Sequence, residues 1–81
     1  MSRVSGKLDA NGRLQQIGQA IRSERQRFGM SQEALADEAG LDRSHLGRIE
    51  RGERNVTLLN LLRITDALGI KASEMLLAAQ L

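Results

Sequence analysis

The sequence predicts a compact all-α domain of five helices. Two observations carry that expectation. Helix-capping residues stand just ahead of four segments (Ser31, Asp42, Thr57 and Ser73), and Gly29, Gly40, Gly52 and Gly69 close the first four. Apolar residues recur at helical spacing, and no stretch alternates as a strand does. Eighty-one residues allow one domain at most. A core that small is marginal alone, and a chain without staples commonly gains stability by pairing with itself. The sequence has no cysteine, which suits a reducing cytoplasm and leaves neither a disulfide nor a thiolate metal site. It has no apolar run of membrane-spanning length and no signal-peptide core, so a cytoplasmic location with no membrane partner is expected.

Residues 1–12 carry Ser, Gly, Lys and Asn with little apolar periodicity, and read as a flexible N-terminal arm. The domain proper is residues 13–81. The first helix starts at residue 12 or 13 and runs to 28, with Leu14, Ile17, Ile21 and Phe28 as its buried stripe. Gly18 beside that stripe permits a close helix contact, at a small cost in helix stability. Phe28, the single aromatic, is expected as a core plug, and Met30 as packing ahead of the next helix.

The second helix, residues 32–39, is capped by Ser31 and puts Leu35, Ala36 and Ala39 on one face. Gly40 then suits the left-handed conformation in which chains leave helices. Leu41 tucks under the turn, and Asp42 is placed to cap a third helix beginning at Arg43. Ala36 is small where two steeply crossing helices must approach. Helix, glycine turn and helix within so short a span is the helix-turn-helix pattern.

At roughly 100° per residue, Leu46 and Ile49 of the third helix face the core. Arg43, Ser44, Gly47, Arg48 and Arg51 face the other way, with His45 at the edge. Guanidinium groups pair bidentately with guanine edges, and a serine hydroxyl can bond to any base. A face of this composition, with a gap at Gly47, suits the major groove of double-stranded DNA. Arg43, Ser44 and Arg48 are the expected base readers, and His45 is a weaker candidate. Arg43 could instead be drawn aside by Asp42 or Glu38. The net charge is only +2, but its sign is uneven: Arg3, Lys7, Arg13, Arg22, Arg25 and Arg27, against Asp9 and Glu24, precede an acidic second helix with Glu33, Asp37 and Glu38. The near absence of aromatics argues against single-stranded nucleic acid, where bases stack on rings.

After Arg51 the loop RGERNV places Arg54 and Asn55 close to where a phosphate backbone would run. Glu50 and Glu53, awkward there, are expected to pair with Arg48, Arg51 or Arg54, or to point sideways. Thr57 caps a fourth helix, residues 58–68, with Leu58, Leu61, Leu62, Thr65 and Leu68 as its apolar stripe and Leu59 partly outside it. Ser73 is expected to cap a fifth helix from Glu74 to about Ala79. That helix is apolar nearly all round, and the surplus apolar surface suggests a partner.

The segment LDRSHLGRIERGERNVTLLNLLRITDAL resembles the phage-repressor and Cro-like helix-turn-helix regulators. It looks most like the controller proteins of restriction–modification systems, through Asp42-Arg43-Ser44, Ile49-Glu50-Arg51-Gly52 and Arg54-Asn55. The resemblance spans about residues 14–77. It implies a lambda-repressor-like fold and a sequence-specific transcriptional regulator acting as a homodimer on a palindromic operator. It further implies phosphate contacts from Gln32, Arg51, Arg54 and Asn55, and pairing through the C-terminal region. Leu59, Met75, Leu76 and Leu81 are the expected interface residues. Phage repressors often bridge the glutamine matching Gln32 to one at the start of the recognition helix. Arg43 stands there in this chain, so that bridge is lost and guanine readout is favoured over adenine.

Nothing in the sequence points to an enzyme. His45 is the single histidine, with no second ligand spaced to hold a metal, and no glycine-rich phosphate loop follows a strand. No cofactor or small-molecule ligand is expected. The competing class is an interaction module, such as an antitoxin whose last helix binds a different protein.

Overall fold

The computed structural model describes residues 9–81, so the reading of residues 1–8 as a flexible arm lies outside the described residues. Five helices follow one another: α1 (Arg13–Arg27), α2 (Gln32–Ala39), α3 (Arg43–Glu50), α4 (Leu58–Leu68) and α5 (Ala72–Ala78). There is no strand among the described residues. Residues 9–12 form a turn that leads into α1. The Gly12 N–H donates to the Asp9 carbonyl at 3.0 Å, and the Asp9 carboxylate accepts from the Leu14 N–H.

Two of the four expected side-chain caps form. Ser31 Oγ accepts from the Ala34 N–H at 3.0 Å, and Thr57 Oγ1 from the Asn60 N–H at 3.1 Å. Each satisfies a donor that the first turn of a helix leaves open. Gly40 leaves α2 at φ 72°, and the Leu41 N–H turns back onto the Ala36 carbonyl at 2.8 Å. That geometry fixes the sharp turn into α3. Two caps differ from expectation. Asp42 stands at the start of α3 in extended backbone, but its carboxylate accepts no capping hydrogen bond. Ser73 lies inside α5, which begins two residues earlier than expected; Glu74 reaches back to accept from the Lys71 N–H at 3.1 Å.

The core joins all five helices through Ile21, Leu35, Leu46, Ile49, Ile64 and Met75, each with no more than 1 % of its surface exposed. α2 packs on α4, while α1 packs on α3 and α5. Gly18 is the point of closest approach: a Cβ added there would collide with the Ile49 carbonyl oxygen and lie 2.5 Å from that of Glu50. The close contact read from the sequence is therefore between α1 and the end of α3.

Four apolar assignments are corrected. Phe28 is not a core plug. It follows the last turn of α1, 46 % exposed, with the Arg27 guanidinium 5.4 Å from its ring centroid. Leu58 and Leu62 leave the buried stripe of α4, being 70 % and 39 % exposed; Leu61, Ile64, Thr65 and Leu68 form it. The buried Thr65 hydroxyl donates to the Leu62 carbonyl at 3.1 Å. Met75 is fully buried within its own chain, so it cannot supply surface to a dimer interface.

Candidate nucleic-acid interface

Burial of Leu46 and Ile49 fixes the rotation of α3 and leaves Arg43, Ser44 and Arg48 exposed on its far side. These three line one open cleft with Gln32, Gly47 and Arg51. His45 is half-buried and lies outside this cleft, as do the half-buried Arg54 and the exposed Asn55 on the loop beyond Gly52. Neither Arg43 nor Arg48 makes an ion pair among the described residues, so Asp42 and Glu38 do not draw Arg43 aside. The gap at Gly47 is bordered by the chain's own polar groups. A Cβ there would stand 3.2 Å from Arg51 Nη1 and 3.3 Å from Gln32 Oε1.

Beneath this face lies a buried polar network that corrects the expectation for Glu50. Its partner is none of Arg48, Arg51 and Arg54 but Arg25 of α1. Arg25 Nε donates to Glu50 Oε2 at 2.8 Å, and Nη2 to Oε1 at 3.0 Å. Arg25 Nη1 also donates to the Met30 carbonyl at 3.0 Å, and Gln32 Nε2 donates to Glu50 Oε1 at 3.1 Å. The carboxylate thus ties the end of α3 to α1 and to the first residue of α2. Hydrogen bonding to Glu50 raises the Arg25 pKa above its ordinary value. With arginine at position 43, the Gln32 amide is taken up by Glu50 instead of a second glutamine. A signal for the network was present: Ile17, Ile21 and Arg25 continue one stripe at four-residue spacing, so an arginine stands where a core residue is due.

Arg51 is engaged at the surface. Its Nε donates to Glu53 Oε2 at 3.0 Å and its Nη2 to Oε1 at 3.3 Å. The hydrogen bond to Arg51 holds the Glu53 carboxyl below the usual carboxylate range. An anion bound across the Nε–Nη2 edge of Arg51 displaces that carboxylate. Glu53→Gln is therefore expected to tighten DNA binding severalfold and steepen its salt dependence, with little change in melting temperature, because exposed pairs contribute little to folding. Fluorescence anisotropy across a salt series checks it; weaker binding by the variant would contradict this account.

Two guanidiniums with no ion pair among the described residues, and a hydroxyl, stand on the exposed face of α3, which a glycine turn joins to α2. This arrangement defines a helix-turn-helix DNA-binding protein. Residues 21–75 match the family model described as helix-turn-helix. Over 61 residues the chain is 45 % identical to control protein C.BamHI of Bacillus amyloliquefaciens, covering 74 % of this chain and 75 % of that one. It is 40 % identical over 60 residues to control protein C.SmaI of Serratia marcescens, covering 74 % and 71 %. Among solved structures, the restriction–modification controller protein C.AhdI of Aeromonas hydrophila superposes with a TM-score of 0.75 at 48 % identity, over 76 % of this chain and 94 % of that one. The chain belongs to the helix-turn-helix family of transcriptional regulators, in the group of the restriction–modification control proteins.

Proposed function

We propose that the chain is a cytoplasmic homodimer without enzymatic activity that reads an inverted-repeat operator and controls a restriction–modification system. One observation carries the reading: Arg43, Ser44 and Arg48 share one open cleft on α3, which Gln32 and Arg51 also line. Arg43, Ser44 and Arg48 read bases, with His45 at the margin. Gln32, Arg51, Arg54 and Asn55 hold phosphates, which orient the helix without choosing sequence. Pairing uses Leu59 and Leu81, 58 % and 46 % exposed, and the half-buried Leu76. Leu77, 75 % exposed on α5, joins them in place of Met75. No helix of the described residues is long and apolar enough to cross a membrane.

Selection of bound duplexes from a random library, at near-physiological salt, tests the reading. The expected product is an inverted repeat whose half-sites lie about one helical turn (~34 Å) apart. Recovery of no consensus, with binding lost steeply as salt rises, would leave only the sequence-independent electrostatic term and overturn it. On the selected operator, Arg43→Ala is expected to cost about 1–3 kcal/mol and to relax discrimination at one position in each half-site. An equal loss on every sequence would remove Arg43 from the bases.

A further inference from the structure

A second cleft, of about 270 Å³, adjoins the base-reading one and is lined by Arg22, Arg25, Gln32, Glu50 and Arg51. Gln32 and Arg51 line both clefts and so form the wall between them. The charges in this second cleft do not cancel. Glu50 is taken up on both oxygens by Arg25, and that pair is neutral. Arg51 is held by Glu53, an exposed partner that lies outside the cleft and can be exchanged. Arg22 is exposed and makes no ion pair among the described residues. It stands three residues before Arg25, on the same side of α1. The Gln32 amide nitrogen gives one hydrogen to Glu50 and keeps its second. The cleft therefore offers one unpaired guanidinium, a second with a displaceable partner and an amide donor, while its one carboxylate is already satisfied. Such a donor set suits an anion with several acceptor oxygens.

We propose that this cleft seats a DNA backbone phosphodiester, held by Arg22 on the α1 side of Gln32. The proposal rests on the reading that α3 lies in the major groove. On that reading Gln32, which lines both clefts, is proposed to touch the phosphate backbone, and a neighbouring phosphate falls to the adjoining cleft. Arg22 supplies affinity and orientation there and takes no part in base choice.

Arg22→Gln in the full chain tests it, with the selected operator and an unrelated duplex as probes. Each lost phosphate contact lowers the slope of log K against log salt by about 0.9. That decrease is expected on both duplexes, with an unchanged melting temperature because the side chain is exposed and unpaired. Operators carrying single methylphosphonates locate the contact. Neutralising one phosphate per half-site is expected to weaken the unmodified protein and to leave Arg22→Gln indifferent; Arg22→Lys is expected to restore the sensitivity. An unchanged salt slope with unchanged methylphosphonate sensitivity would overturn the assignment while leaving the regulator reading intact. Saturable stabilisation by inorganic phosphate that depends on Arg22, with no Arg22 effect on DNA, would make this a free-anion site and also overturn it. Loss of all sequence preference in the unmodified protein would instead remove the reading on which the proposal rests.

Discussion

Glu50→Ala is expected to lose about 3–5 kcal/mol of unfolding free energy, the usual cost of stranding one partner of a buried ion pair. Small domains hold roughly 5–15 kcal/mol in all, so the variant stands at the edge of folding. Three groups lose their acceptor at once: Arg25 Nε, Arg25 Nη2 and Gln32 Nε2. The Arg25 guanidinium stays charged at every pH where the protein is handled and cannot escape by deprotonating. It keeps only the Met30 carbonyl. Removing both charges is a different experiment. A paired Arg25→Met and Glu50→Leu variant is expected near the parent's stability, because neither charge then needs to be desolvated. Urea denaturation of both variants decides it. A single-variant loss under about 1.5 kcal/mol, the worth of an ordinary hydrogen bond, would mean that water reaches the pair. The double variant should still bind DNA less well than its stability suggests, since Gln32 loses the carboxylate that orients it.

The same network shows where the sequence stopped being legible. Local features were readable because their causes are local. Ser31, Thr57 and Gly40 act on neighbours within one turn, and Leu46 and Ile49 define a face by spacing alone. The exposed trio Arg43, Ser44 and Arg48 followed from that face. The Arg25–Glu50 pair joins residues 25 apart, and helical spacing says nothing about which stripes meet. Phe28 and Leu58 stand outside the core for a related reason. Periodicity assigns a side to every turn of a helix, yet the core covers only those turns that a neighbour reaches. Phe28 follows the last turn of α1 and Leu58 opens α4, at ends the core does not cover. Met75 shows the converse. A helix apolar on every side does not reveal which side its own chain will claim.

Gly18→Val is expected to abolish the fold, and Gly18→Ala to destabilise it by about 2 kcal/mol net. Two effects oppose each other in the alanine variant. Replacing glycine inside a helix favours folding by about 1 kcal/mol. Against this, the new Cβ would meet the carbonyl oxygens of Ile49 and Glu50 and stand 2.8 Å from the Glu50 carbonyl carbon. Those atoms are backbone at the end of α3 and cannot swing aside as a flexible side chain would. Relief requires α1 and α3 to separate, at about 3 kcal/mol, the upper part of the usual range for overpacking. Separation also pulls Glu50 from Arg25, so the two costs reinforce each other. Valine adds two more methyl groups at the same point and a β-branched side chain that gives less helix benefit. Gly29 supplies the control, because a Cβ there meets nothing within 4 Å although its φ is 71°. Gly29→Ala should therefore cost only the backbone strain of about 1–2 kcal/mol. Chemical denaturation of the three variants separates steric collision from backbone conformation. A Gly18→Ala protein as stable as the parent would show that α1 and α3 can part without loss, and that the seat of the recognition helix is softer than its packing implies.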